Sequence, residues 1–154
     1  MTAQRLHPRV RIVWTVRAVL LAVVVTAIAA VPSLLFDLPR WVPLAIGGVV
    51  LVAGVGHAQL RYRRWSYEVQ EDALYLERGV VTEVRTVAPF VRVQHVDSRR
   101  GPVERAFGLA SCVVYTAGSR GADVRVPGLT PEQADDLREE LKRLAIRAEG
   151  EDAV

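Results

Sequence analysis

AVLLAVVVTAIAAVPSLLF, Ala18–Phe36, and WVPLAIGGVVLVAGVGHAQL, Trp41–Leu60, run 19 and 20 residues without an Asp, Glu, Lys or Arg. As helices rising about 1.5 Å per residue, each reaches roughly 28–30 Å, the thickness of a bilayer's hydrocarbon core. Both are apolar on every side, whereas the surface helix of a soluble domain keeps a polar face. Only Asp37-Leu38-Pro39-Arg40 separates them. A link of four residues makes a tight helical hairpin, so the two far ends emerge on one side of the membrane.

The flanks give that side an identity. Arg5, Arg9, Arg11 and Arg17 precede the first span with no acid among them, and Arg61, Arg63 and Arg64 follow the second. Cytoplasmic flanks collect arginine, so the expectation is a multi-pass plasma (inner) membrane protein with both termini cytoplasmic. Trp41 and Trp65, with those three arginines, are expected at the membrane–water interface, and Trp14 likewise. The chain then divides into a basic flank (1–17), a hairpin (18–60, with spans 18–36 and 41–60), a basic linker (61–64), a folded domain (65–147) and an acidic tail (148–154) expected to be disordered. Ala27-Ile28-Ala29 fits a signal-peptidase site, but the apolar run continues past it to Phe36, which favours an uncleaved span.

Inside the spans, Ala18, Ala22, Thr26 and Ala30 recur every four residues. That stripe serves the hairpin's own packing, serves a dimer, or is a chance product of an Ala/Val-rich run. His57 is the intramembrane polar residue. It is either a functional group, as ionisable residues in spans often are, or a histidine at headgroup level within a turn of Arg61.

The 154 residues are 51% hydrophobic and include one cysteine, Cys112, which excludes an internal disulfide or a cysteine zinc cluster. The net charge of +3 belongs to the flanks. Beyond the hairpin no basic stripe marks a nucleic-acid surface.

From Trp65 the period changes to two. Ser66–Gln70, Ala73–Arg78, Val80–Val87, Phe90–Val96, Val113–Thr116 and Val124–Val126 read as six strands, with Ala117–Gly121 as a turn-rich loop. Gly101–Gly108 reads as irregular or a single helical turn. Thr130, Pro131 and Gln133 read as N-cap, N1 and N3 of a final helix, with Ala134, Leu137, Leu141 and Leu144 on one face. Strands closed by one amphipathic helix predict a small barrel or sandwich.

Leu76-Glu77-Arg78-Gly79-Val80-Val81-Thr82, Arg92-Val93-Gln94-His95-Val96, Gly101–Ala110 (GPVERAFGLA), Thr116-Ala117-Gly118 and Pro127-Gly128-Leu129 follow the two spans in order. In these stretches the chain resembles the bacterial pleckstrin-homology-like (bacterial PH) membrane-flanked family, over roughly residues 65–146. The resemblance implies a transmembrane hairpin followed by a PH-like antiparallel β-barrel of about seven strands, capped by the C-terminal helix. It implies no enzymatic activity and no cofactor. It also implies a membrane-tethered interaction module whose partners are the lipid bilayer and a second copy or a related PH-like membrane protein.

Gln70-Glu71-Asp72 occupies the first hairpin, where two carboxylates repel phosphate, so no phosphoinositide site is read there. Arg92, Gln94, His95, Arg99, Arg100 and Arg105 form the candidate interaction surface, facing either a partner or anionic headgroups. The plainer reading pairs those arginines with Asp97 and Glu104 or leaves them solvated. His95 and Asp97 share one face of an extended strand, which allows an acid–base pair. No nucleophile elbow, metal motif or small-molecule substrate site appears, and Cys112 reads as a buried thiol.

Overall fold

A hairpin of two long helices interrupts a β fold. The computed structural model describes residues 4–118 and 123–152. In chain order the elements are β1 (Gln4–Arg5), α1 (Arg9–Leu35), α2 (Trp41–Arg64), β2 (Ser66–Val69), β3 (Ala73–Arg78), β4 (Val84–Pro89), a 3-10 turn (Phe90–Arg92), β5 (Val93–Arg99), α3 (Pro102–Ala106), β6 (Ala110–Thr116), β7 (Val124–Leu129) and α4 (Pro131–Asp152). They form two units. One joins residues 4–10 to residues 64–152; the other is Arg11–Arg63.

The hairpin unit is α1 and α2, both long and apolar enough to cross a membrane. The helices outrun the uncharged stretches, taking in Arg9, Arg11 and Arg17 at the start of α1 and Arg61, Arg63 and Arg64 at the end of α2. Asp37 takes a left-handed backbone in the connecting turn, which Asp tolerates better than most residues. Ser33 Oγ donates to the Leu38 carbonyl at 3.2 Å there. The helices meet through small side chains. A Cβ added at Gly54 would lie 2.9 Å from the Ala18 Cβ, and one at Gly47 would fall onto Thr26 Oγ1. The Ala18/Ala22/Thr26 stripe is thus the hairpin's own seam. At the open end, Arg61 stacks 4.4 Å over Trp14, and Arg11 lies 5.0 Å over Tyr62.

Among the described residues the β unit contains seven strands, and the one missing from the sequence reading is β1. Its two residues lie in the basic flank, far from the rest in sequence, yet Gln4 pairs with Tyr67 and Arg5 with Ser66. Tyr67 donates its hydroxyl hydrogen to Gln4 Oε1 at 2.7 Å, and the His7 N–H donates to the Gly128 carbonyl at 2.7 Å. Leu6 and Val10 are buried. Gly128 sits at φ +65°, where an added Cβ would lie 2.8 Å from Val10. A side chain there would meet both a backbone penalty and a collision.

The strands do not close into the expected barrel. They form a four-stranded sheet, β1-β2-β3-β4, and a three-stranded sheet, β5-β6-β7, all pairs antiparallel. Phe90–Arg92 coils into the 3-10 turn between β4 and β5, and among the described residues those two strands share no backbone pairing. The expected strands are shortened accordingly: residues 80–83 belong to the turn after Gly79, and Phe90–Arg92 is not extended.

α4 begins as its sequence says. Gln133 N donates to Thr130 Oγ1 at 3.2 Å, and Thr130 N donates to Gln133 Oε1 at 3.0 Å. Ala134, Leu137, Leu141 and Ala145 are buried, with α4 lying on β5, β6 and the 3-10 turn. Leu74, Leu76, Phe90, Leu109, Val114, Val126 and Leu129 complete the core. Each such side chain contributes on the order of 2 kcal/mol by leaving water. Residues 148–152, expected as a disordered tail, continue α4. Residues 119–121 of the expected loop, and Ala153 and Val154, lie outside the described residues.

Candidate functional site

The candidate surface residues spread over three elements. Arg92 ends the 3-10 turn, Gln94, His95 and Arg99 lie on β5, Arg100 follows it, and Arg105 sits on α3. All six are exposed. The period of two on β5 sends His95, Asp97 and Arg99 to one face. The register sets His95 beside Tyr115, Asp97 beside Val113 and Arg99 beside Ser111 on β6.

Those pairings build a compact polar cluster. His95 Nε2 lies 2.6 Å from Asp97 Oδ1, and Arg99 Nη2 lies 3.8 Å from Asp97 Oδ2. Tyr115 stands near both His95 and Arg99. Its ring centroid is 5.8 Å from the His95 ring, and the Arg99 guanidinium carbon is 5.5 Å from it. Tyr115 was not among the residues singled out from sequence. Its strand was legible, but the partner across the ladder depends on a register that sequence spacing does not encode.

Glu104 behaves differently from the sequence expectation. Only 13% of its side chain is exposed, and its carboxylate is divided between two jobs. Oε2 accepts the Gly101 N–H at 2.8 Å, capping α3, and Oε1 takes Arg125 Nη2 at 2.8 Å. Arg125 Nε also donates to Ser111 Oγ at 3.1 Å. Glu104 therefore pairs with Arg125 on β7, not with the arginines of the patch. Arg92, Arg100 and Arg105 make no ion pair among the described residues.

Cys112 and Val114 alternate to the opposite, interior face of β6. Burial pushes the Cys112 thiol up to about 12, so it stays protonated and a poor nucleophile at neutral pH. Burial likewise raises the Tyr67 hydroxyl to about 12. His95 and Asp97 lie in contact, and the described residues bring no thiol to their face. Nor do any three His, Cys, Asp or Glu side chains gather among the described residues as a metal would require. The chemistry this face offers is recognition: hydrogen bonds, charge and an aromatic ring.

The interface residues separate as well. Trp41 is 66% exposed at the start of α2, and Arg63 and His57 are exposed. Trp65, expected at the membrane–water interface, is instead buried in the β unit, edge-on to Tyr67 with ring centroids 6.3 Å apart. Trp65 is the single residue between α2 and β2, and its indole fills the core. Arg64 belongs to the same unit, donating from Nη1 to the Val80 carbonyl at 3.0 Å.

Residues 10–145 match the family model described as bacterial PH domain. The chain is 32% identical over 140 residues to the UPF0699 transmembrane protein YdbS of Bacillus subtilis (strain 168), covering 86% of each protein. It is 26% identical over 106 residues to the UPF0699 transmembrane protein YdbT of the same organism, covering 68% of this chain and 22% of that one. No solved structure matches.

Proposed function

Because the chain belongs to the bacterial PH domain family, we propose that it is a membrane-anchored, non-enzymatic interaction module. The hairpin holds the β unit at the cytoplasmic leaflet, where it assembles with further copies of itself or with a related membrane protein. The observation that carries this reading is the path of the chain. It leaves the β unit after Val10 and re-enters it at Arg64, so both ends of the apolar hairpin are tied to one folded body. Such a body cannot drift from the bilayer. It searches for partners in two dimensions, at raised effective concentration. The arginines at both hairpin ends support a cytoplasmic location.

The test is chemical crosslinking of the full chain in native membranes, with a topology reporter fused after Val154. Crosslinked species above the monomer and a cytoplasmic reporter signal are expected. Monomer alone, or a reporter on the outer face, overturns the reading.

A second reading is anionic-headgroup sensing by the Arg99/Arg100/Arg105 surface. What favours it is that Arg100 and Arg105 are exposed without an ion pair among the described residues. Arg99 is already engaged by Asp97 and Tyr115. This reading expects the full chain in neutral nanodiscs to bind anionic vesicles at low salt, and Arg100→Ala with Arg105→Ala to abolish binding. No binding at low salt ends it.

A further inference from the structure

Four strands end a sheet: β1, β4, β5 and β7. An open edge presents backbone N–H and C=O groups that another strand can pair with. Two of the four are blunted: β1 has two residues, and β7 contains Pro127, which brings no donor to a ladder. β4 keeps Val84–Ala88 free of proline, but Arg85 is its one ionisable residue, so no two-fold register of that edge sets opposite charges against each other. β5, Val93–Arg99, contains no proline. Its bulge lies between Val93 and His95, leaving His95–Arg99 in regular register with β6. Among the described residues nothing pairs with its other side.

Beside that free edge, a groove of about 510 Å³ runs between β5 and α4, with Val96, Asp97, Lys142 and Ile146 in its lining. Ile146 is 61% exposed, although α4 otherwise turns its apolar residues inward.

We propose that the β5 edge pairs antiparallel with the β5 edge of a second copy, in the register centred on Val96. The strand's own sequence argues for it. Across a two-fold axis, paired side chains must lie on the same face, so one residue faces its own copy across the axis and registers differ by whole residues. Centred on Val96, His95 faces the partner's Asp97, Asp97 faces the partner's His95, and Gln94 faces the partner's Ser98. Centred on Asp97, the two carboxylates oppose each other; centred on His95, the two imidazoles do. Like groups directly opposite destabilise a strand pair, and opposite ones stabilise it. An imidazole and a carboxylate attract whether as a hydrogen bond or as an ion pair, and the 2.6 Å His95–Asp97 contact shows that both groups reach one spot. The inference rests on the self-assembly reading above and names its surface.

The test uses two differently tagged full-length chains co-expressed in membranes, one carrying His95→Cys and the other Asp97→Cys. Cys112 is buried and does not compete. Mild oxidation is expected to give a disulfide dimer carrying both tags. Pairing His95→Cys with Val87→Cys on β4 is expected to give none. In chains without added cysteine, Asp97→Lys is expected to lower two-tag co-purification about fivefold. His95→Asp combined with Asp97→Lys is expected to restore it, because the new pair is again complementary. Co-purification without the 95–97 disulfide, as when an extended segment of another protein fills the edge, overturns this proposal and leaves self-assembly standing. No co-purification at all overturns both.

Discussion

The hairpin and the β unit place the same side chains by opposite rules. On α1, Leu20, Leu21, Val23 and Ile28 are more than half exposed, turned away from the seam where Ala18 and Ala22 are buried. In the β unit, Leu74, Phe90 and Leu141 are closed off completely. In water the second pattern is the one that stabilises, since apolar area must leave solvent. In a bilayer the lipid itself takes the apolar surface, and helices meet instead through small residues that let backbones approach. Ala18 against Gly54 is that second kind of contact. The difference teaches that hydrophobicity locates this chain, while close packing shapes it.

The sharpest way to break the comparison is to remove one side of it. A chain in which residues 11–63 are replaced by a short Gly/Ser linker is expected to move wholly from the detergent fraction to the aqueous one and to keep a β-rich circular dichroism spectrum. Deleting residues 1–8 from that chain removes β1 and buried Leu6, and a large fall in melting temperature is expected. A fragment starting at Trp65 that is as stable as the excised chain would show that β1 is dispensable.

The same truncation made on each side should then part by several kcal/mol. Leu74→Ala opens a cavity in the β core and is expected to cost about 2–5 kcal/mol in denaturant unfolding. Leu21→Ala, with lipid free to fill the space, is expected to leave unfolding in detergent or bilayer nearly unchanged. Equal losses would place Leu21 in a protein core.

The smallest effect sharpens the seam. Gly54→Ala pushes a methyl against the Ala18 Cβ, which has no torsion to swing aside, and is expected to cost about 1–3 kcal/mol in hairpin stability. Gly56→Ala meets nothing within 4 Å and is expected to be neutral or mildly stabilising. Steric trapping or thermal unfolding of the full chain in detergent separates the two variants.

What was legible in the sequence is what a local pattern can carry. The two apolar runs announce α1 and α2, because a span is a matter of length and composition. Thr130, Pro131 and Gln133 announce the start of α4, because a cap is built from neighbours. The alternation at Ser66–Arg78 announces β2 and β3. His95 and Asp97 could be set on one face from spacing alone, and 2.6 Å now separates them. Tyr115 could not be placed beside that cluster, nor Arg125 against Glu104, because cross-strand register joins residues with no sequence relation.

By itself, then, the sequence determined the partition into an apolar helical hairpin and a β-rich remainder, since hydropathy is summed residue by residue. Only the tertiary structure decided that Gln4–Arg5 completes the first sheet across the interrupting hairpin, that Trp65 belongs to the core, and that the strands form two sheets instead of a closed barrel. Those outcomes depend on which distant backbone groups find each other, and a two-residue strand carries no periodicity from which its partner can be read.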